Sequence, residues 1–261
     1  MRTTNAMRNA SIVHLPSLVL LAALSVALSS ACASGPSLRH KHEFNLSPGN
    51  EHHAGIKKAL LLPLDATNEK PVSDLDVAHD RIEALVEAHL ESKGLVVERI
   101  DPRRFAEAQK AAHAAIRAQR LSGASGTVSA YVDFEDIVPA LVDALELDAD
   151  VVLEANLVMR DAHYQGKRML VWDGVRRRET VRYLLSMEGE VPAASLYVAV
   201  HSKEGKRLFS GYGGFEPIFR VERAARKYVR REDLFEDERN LREGICIAFY
   251  PWFGMAEYCA R

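Results

Sequence analysis

Cysteine is scarce in this chain of 261 residues, with three, and tryptophan scarcer still, with two. Neither a GxSxG elbow nor an HExxH pair occurs, so a hydrolase has no familiar nucleophile or zinc site here. No apolar run approaches the roughly 20 residues that a helix needs to cross a bilayer. Charge of one sign is lacking too: 34 basic residues face 36 acidic ones, a formal net charge of −2. That balance excludes the basic profile of a nucleic-acid binder. No internal repeat is present, and no motif asks for a cofactor or a metal.

What is present begins at the N-terminus. Arg2 and Arg8 stand in a leader without acidic residues, an apolar stretch runs from Leu18 to Leu28, and Ser29, Ser30 and Ala31 precede Cys32. Charged start, short apolar middle and small residues are the order of a secretory signal peptide over residues 1–31. Leu28 to Cys32 resembles a bacterial lipobox, although the favoured leucine of that motif stands one place nearer the cysteine. The resemblance implies that Cys32 is diacylated, becomes the mature N-terminus and holds the protein to a membrane. Each buried acyl methylene contributes about 0.8 kcal/mol to such anchoring. A plain signal peptide with an incidental cysteine is the alternative. Ala33 after the cysteine favours the outer membrane by the same resemblance. Residues 32–56, with prolines, glycines and few apolar side chains, are expected to form a tether.

Beyond the leader remain 32 of the 34 basic residues and all 36 acidic ones, a net charge of −4. Residues 57–261 are long enough for one substantial core. If Cys32 carries lipid, Cys246 and Cys259 are an even pair in a compartment that permits disulfides. They either pair or remain two buried thiols.

The apolar run Lys58 to Leu64 reads as a buried strand, with Pro63 where pairing stops. Helical spacing follows from Ser73 to Lys93, with Ser73 or Asp74 as cap and Gly94 as stop. A strand over Leu95 to Ile100 leads to Asp101-Pro102, a cap with proline in the first helical position, and an alanine-rich helix to about Leu121. A third helix is expected over Asp133 to Leu147, kinked or restarted at Pro139. Extended pairs follow: Asp150 to Asp161 with Lys167 to Arg176, then Ala194 to Ser202 with Lys206 to Gly211. A last helix spans Glu232 to Phe249. The fold class is α/β (α+β), a mixed sheet with helices packed on it: a βαβα start, then β-hairpins and a C-terminal helix.

Ala59-Leu-Leu-Leu-Pro-Leu-Asp65, the helix ending at Lys93-Gly94, the strand Leu95 to Ile100 and Ala149-Asp-Val-Val-Leu153 resemble the α/β domain shared by several envelope proteins. These are the curli-secretion lipoproteins, the lipoprotein activators of penicillin-binding proteins and the N-terminal domain of the Tol translocation protein. The resemblance bears on the fold, and no residue carries a specific activity of these families onto this chain; the expectation is a non-catalytic, lipid-anchored protein on the periplasmic face of the outer membrane that binds another envelope component, an envelope protein or the cell wall. A subunit of an oligomeric envelope assembly and a periplasmic enzyme are the rival readings.

Several clusters are weighed for chemistry. His40, His42, His52 and His53 beside Glu43 and Glu51 could take up metal weakly, but a tether lacks fixed ligand geometry. Gly211-Tyr-Gly-Gly214 has no P-loop lysine or serine/threonine and reads as a strand running into a loop. Arg176 to Arg178 and the run Arg220 to Arg231 could meet anionic head groups, yet the acidic run Glu232 to Glu238 points to pairing within a solvated helix. The apolar end Ile247 to Gly254 is expected to pack a helix on the sheet. An enzyme would require Asp161, His163 and Asp173 to meet in one cleft.

Overall fold

The computed structural model describes residues 43–48, 55–65, 67, 75–123, 132–165, 169–178, 189–222, 225–253 and 259. The buried run after Lys58 forms β2 (Lys58–Leu61), parallel to β3 (Val96–Arg99) on one side and β4 (Val151–Tyr164) on the other. β7 (Glu190–Ser202), β8 (Arg207–Pro217) and the short β1 (Phe44–Leu46) continue beyond β4 as antiparallel neighbours, giving the order β1-β8-β7-β4-β2-β3. The far end of β4 pairs with β5 (Met169–Trp172), and β5 pairs with β6 (Val175–Arg178). Their connection is the dipeptide Asp173-Gly174, at φ of 35° and 80°, the positive-φ pair that a two-residue hairpin favours. The Gly214 N–H donates to Asp173 O at 3.1 Å, drawing this hairpin back over the sheet.

Two faces follow from strand alternation. One bears Ala59, Leu61, Val151, Leu153, Ala155, Leu157, Leu196, Val198 and Val200 and is covered by α1 (His79–Ser92) and α4 (Glu238–Ala248). Ile82, Leu85, Val86 and Leu90 supply the apolar stripe of α1, and Leu241, Ile245 and Ala248 that of α4. The opposite face is covered by α2 (Pro102–Gly123) and α3 (Phe134–Leu145) at its parallel end, where Leu60, Leu62 and Val152 meet Phe105, Ala112, Ile116, Val138 and Leu141. Asp101 caps α2 as its spacing predicts, Oδ1 accepting from the N–H groups of Arg103 (2.9 Å) and Arg104 (3.2 Å).

Several expectations need correction. Phe44–Leu46 lies in the segment expected to be a tether, yet it pairs with Phe209–Gly211 of β8 and Leu46 packs on the core, so the domain begins before residue 57. Gly211 and Gly213 stand inside β8 and open no loop. They are glycines because α4 lies on them: a Cβ on Gly213 would sit 1.9 Å from Gly244 O, and one on Gly211 would sit 2.4 Å from Ala248 O. The run Arg220 to Arg231 is not a helix. β9 (Phe219–Glu222) and β10 (Ala225–Tyr228) form a separate hairpin there, its ends joined by Phe219 and Tyr228 rings 4.0 Å apart. The last helix starts at Glu238, because Asp237 caps it through the Arg239 N–H at 3.0 Å. Helix α3 runs through Pro139 as one segment, and Gly205 packs against the Glu135 carbonyl whose usual donor Pro139 lacks. The cap expected at Ser73 or Asp74 lies outside the described residues.

The aromatic end behaves as expected. Phe249 and Trp252 are each 1% exposed, and Trp252 stacks on Phe209 at 6.1 Å. Burying such a side chain contributes about 1.5–3 kcal/mol.

Candidate functional site

The described residues bury five polar or charged side chains: Asn156, Asp173, Ser195, His201 and Ser210. Strand alternation puts four of them on the face opposite α1 and α4, and the hairpin tip delivers Asp173 to the same face. Ser195 Oγ donates to Asp173 Oδ2 at 2.6 Å. Asn156 Nδ2 donates to Thr67 Oγ1 (2.8 Å) and to Glu154 Oε1 (2.9 Å), while His201 Nε2 lies 3.2 Å from Glu154 Oε2.

Arg160 joins these groups. Its Nε donates to Asp173 Oδ2 at 3.3 Å and its Nη2 to Glu43 Oε2 at 2.5 Å, and its guanidinium lies 4.4 Å from the Tyr212 ring centroid. Tyr212 is the cross-strand partner of Tyr197, with ring centroids 5.0 Å apart. Burial raises the Tyr197 hydroxyl pKa above its ordinary value, with Glu154 adding to it and Arg207 opposing. Burial likewise raises that of Tyr212. Both hydroxyls therefore stay neutral at physiological pH. One arginine thus ties together β4, β8, the approach to β1 and the β5–β6 turn.

Beside Arg160 lies a cavity of about 540 Å³, lined by Glu43, Met159, Asp161, His163, Trp172 and Asp173 among others. Asp161, His163 and Asp173 do line one cavity, as an enzyme would require. Each of the last two is committed elsewhere: His163 Nδ1 lies 3.1 Å from Glu190 Oε1 near solvent, and Asp173 holds Arg160 and Ser195. Ser195 is fully buried, out of reach of a substrate. The arrangement orients charge at a surface opening.

A second cavity, of about 720 Å³, opens at the carboxyl ends of β2 and β3. The connections from these strands lead to opposite faces, the place where open α/β sheets commonly bind ligands. Its side chains hold the surrounding loops. Glu83 Oε1 accepts from the Leu64 N–H at 2.7 Å and pairs with Arg99, Asp65 Oδ1 accepts from the Leu157 N–H at 2.6 Å, and Asp65 lies 3.0 Å from His79 Nε2.

Cys246 and Cys259 form a disulfide, with Cα atoms 5.3 Å apart. Cys32, His40, His42, His52, His53 and Glu51 lie outside the described residues. Arg177 pairs with Glu243 at 2.5 Å and donates to Phe215 O at 3.3 Å, which accounts for the centre of the Arg176–Arg178 run. Among the described residues no three His, Cys, Asp or Glu side chains cluster as metal ligands. Sequence reasoning missed Arg160, Tyr197, Tyr212 and Ser195. The available signal was Glu154, Asn156 and Arg160 at alternate positions of an otherwise apolar strand. No protein-family model matches the chain, and no curated protein matches it.

Proposed function

We propose that this chain is an exported, disulfide-bonded recognition domain held on a membrane by lipid. More particularly, it is a lipoprotein anchored through Cys32, on the periplasmic side of a Gram-negative outer membrane, that binds another envelope component and catalyses no reaction. The observation that carries the proposal is the Cys246–Cys259 disulfide joined to the leader before Cys32, because disulfides form and persist in oxidising compartments outside the cytosol. Recognition is supported by the Arg160 cavity, whose ionic groups are fixed by one another at a surface opening. Intact-mass measurement of membrane-extracted protein tests the anchor. A mature chain starting at residue 32 with added acyl mass, lost in Cys32→Ser, is expected. A mass equal to the bare polypeptide would remove the anchor and the localisation with it.

An enzymatic reading has one observation in its favour, the shared cavity of Asp161, His163 and Asp173. It requires that Asp161→Asn abolish a turnover that the fold survives. The oligomeric reading requires a species larger than the monomer after detergent extraction.

A further inference from the structure

We propose that the notch along β4 between Leu157 and His163 receives an extended, cationic segment of a partner polypeptide, which pairs with the strand as an added β-strand. The inference rests on the recognition reading above and names the chemistry of its partner.

The backbone geometry defines the notch. β4 pairs with β7 along its whole length, and its even-numbered residues bond to that side, as the Tyr164 N–H does to Gly189 O at 3.2 Å. Odd-numbered residues point the other way. Leu153 O accepts from the Leu62 N–H and Ala155 O from the Asp65 N–H, both at 3.0 Å, and the Leu157 N–H meets the Asp65 carboxylate. Past the notch the Gln165 N–H donates to Met169 O at 2.7 Å, where β5 has joined. Opposite Asp161 stands Pro192, whose carbonyl accepts from the Ile218 N–H of the chain leading from β8 to β9, so Asp161 sends no bond toward β7. The N–H and C=O groups of Met159 and Asp161 therefore face the notch with no backbone partner among the described residues. A strand edge of this kind is a template for an added strand.

The cavity lies along this edge and fixes the occupant's character. Glu43, Asp161 and Asp173 line it against one arginine, so its charge is negative and suits lysine or arginine on the incoming strand. Met159, Val171 and Trp172 supply an apolar wall for the residues between them. An extended segment of about four to five residues carrying both basic and apolar side chains matches the notch by length and charge.

The test uses the full-length protein in detergent and the synthetic peptide acetyl-Lys-Val-Lys-Val-Lys-amide, with acetyl-Glu-Val-Glu-Val-Glu-amide as its counterpart, by calorimetric titration. Saturable binding of the basic peptide alone is expected. Asp161→Pro removes one edge donor and one charge on the side facing away from β7, and is expected to weaken binding about tenfold or more. Asp161→Asn keeps the backbone donor and is expected to lose less. Backbone N-methylation, of the central lysine in one peptide and of both valines in another, tests the pairing without altering the protein's fold, and in one of the two is expected to weaken binding about tenfold. Absence of basic-peptide binding, equal binding of the basic and acidic peptides, or insensitivity to both N-methylation patterns would overturn the proposal. So would self-association of the wild type that Asp161→Pro abolishes, which would make a second copy the occupant. None of these outcomes touches the intact mass, so failure here is distinct from failure of the anchor.

Discussion

Acid should loosen this protein through His89. The ring sits on α1 between Phe249, stacked at 5.5 Å, and Phe253, edge-on at 6.1 Å, and its Nε2 is sealed without a hydrogen-bond partner among the described residues. Burial, with a smaller contribution from Lys93, lowers its pKa from 6.5 to about 4. The folded state thus prefers the neutral ring, and between pH 6.5 and 4 the unfolded chain binds more protons. Stability is therefore fully present above the unfolded pKa and is lost as pH falls through that window. The full shift corresponds to about 3 kcal/mol, of which about 2.5 kcal/mol is lost between pH 7.5 and 4.5. Other groups titrate in the same range, so the measurement is a difference. Urea unfolding of wild type and His89→Phe, which keeps the ring contacts and removes the proton site, should show the difference in free energy moving in favour of the variant by about that amount on acidification. Parallel profiles for the two proteins would refute a buried neutral histidine at this position.

Three further outcomes follow from the packing and the cross-links. The Cys246–Cys259 bridge closes a separation of 13 residues, so reduction or the double alanine variant should cost about 3 kcal/mol, read as a lower urea midpoint with reductant. Gly213→Ala pushes a methyl into the Gly244 carbonyl at 1.9 Å and should cost about 1–3 kcal/mol, seen as a lower Tm, because both atoms belong to backbone. Arg160→Met leaves Asp173, 7% exposed, with Ser195 as its remaining donor. Because Arg160 is itself one-third exposed, the loss should be about 1–3 kcal/mol by thermal unfolding, and adding Asp173→Asn should recover part of it.

The parallel end of the fold was legible because local rules and burial agree there. Asp101-Pro102 starts a helix, Gly94 ends one at φ of 87°, and Lys58–Leu61 is apolar because helices cover it on both faces. The antiparallel end was less so. β8 spends its apolar positions on glycine to let α4 approach, and from composition alone such a strand looks like a loop. The hairpin at Phe219–Tyr228 carries charges at a spacing that a helix face shares, and only pairing with its own return strand decides between them. The site was hidden for a third reason. Glu43, Arg160, Asp173, Ser195 and Tyr212 lie up to 169 positions apart and meet because register sets Tyr197 opposite Tyr212 and the turn sets Asp173 over Ser195. Register is long-range information that no single segment contains.

The notch itself has a traceable origin in strand length. β2 has four residues and β4 has fourteen, so β4 overshoots its parallel neighbour. Pro63 withholds the donor that would have extended pairing toward β3, and at Asp65 the chain turns aside with φ of 59°. The Asp65 carboxylate then takes the Leu157 N–H that a longer β2 would have taken. At the other end β5 is short, and the Asp173-Gly174 turn sends the chain back across the face before it could fill the gap. Two notch-facing residues of β4, Met159 and Asp161, lie between a carboxylate cap and a tight turn, and the same turn places Asp173 on Arg160. The device that leaves the strand edge open is thus the one that charges the cavity beside it, so backbone pairing and charge recognition would act on the same ligand at the same place.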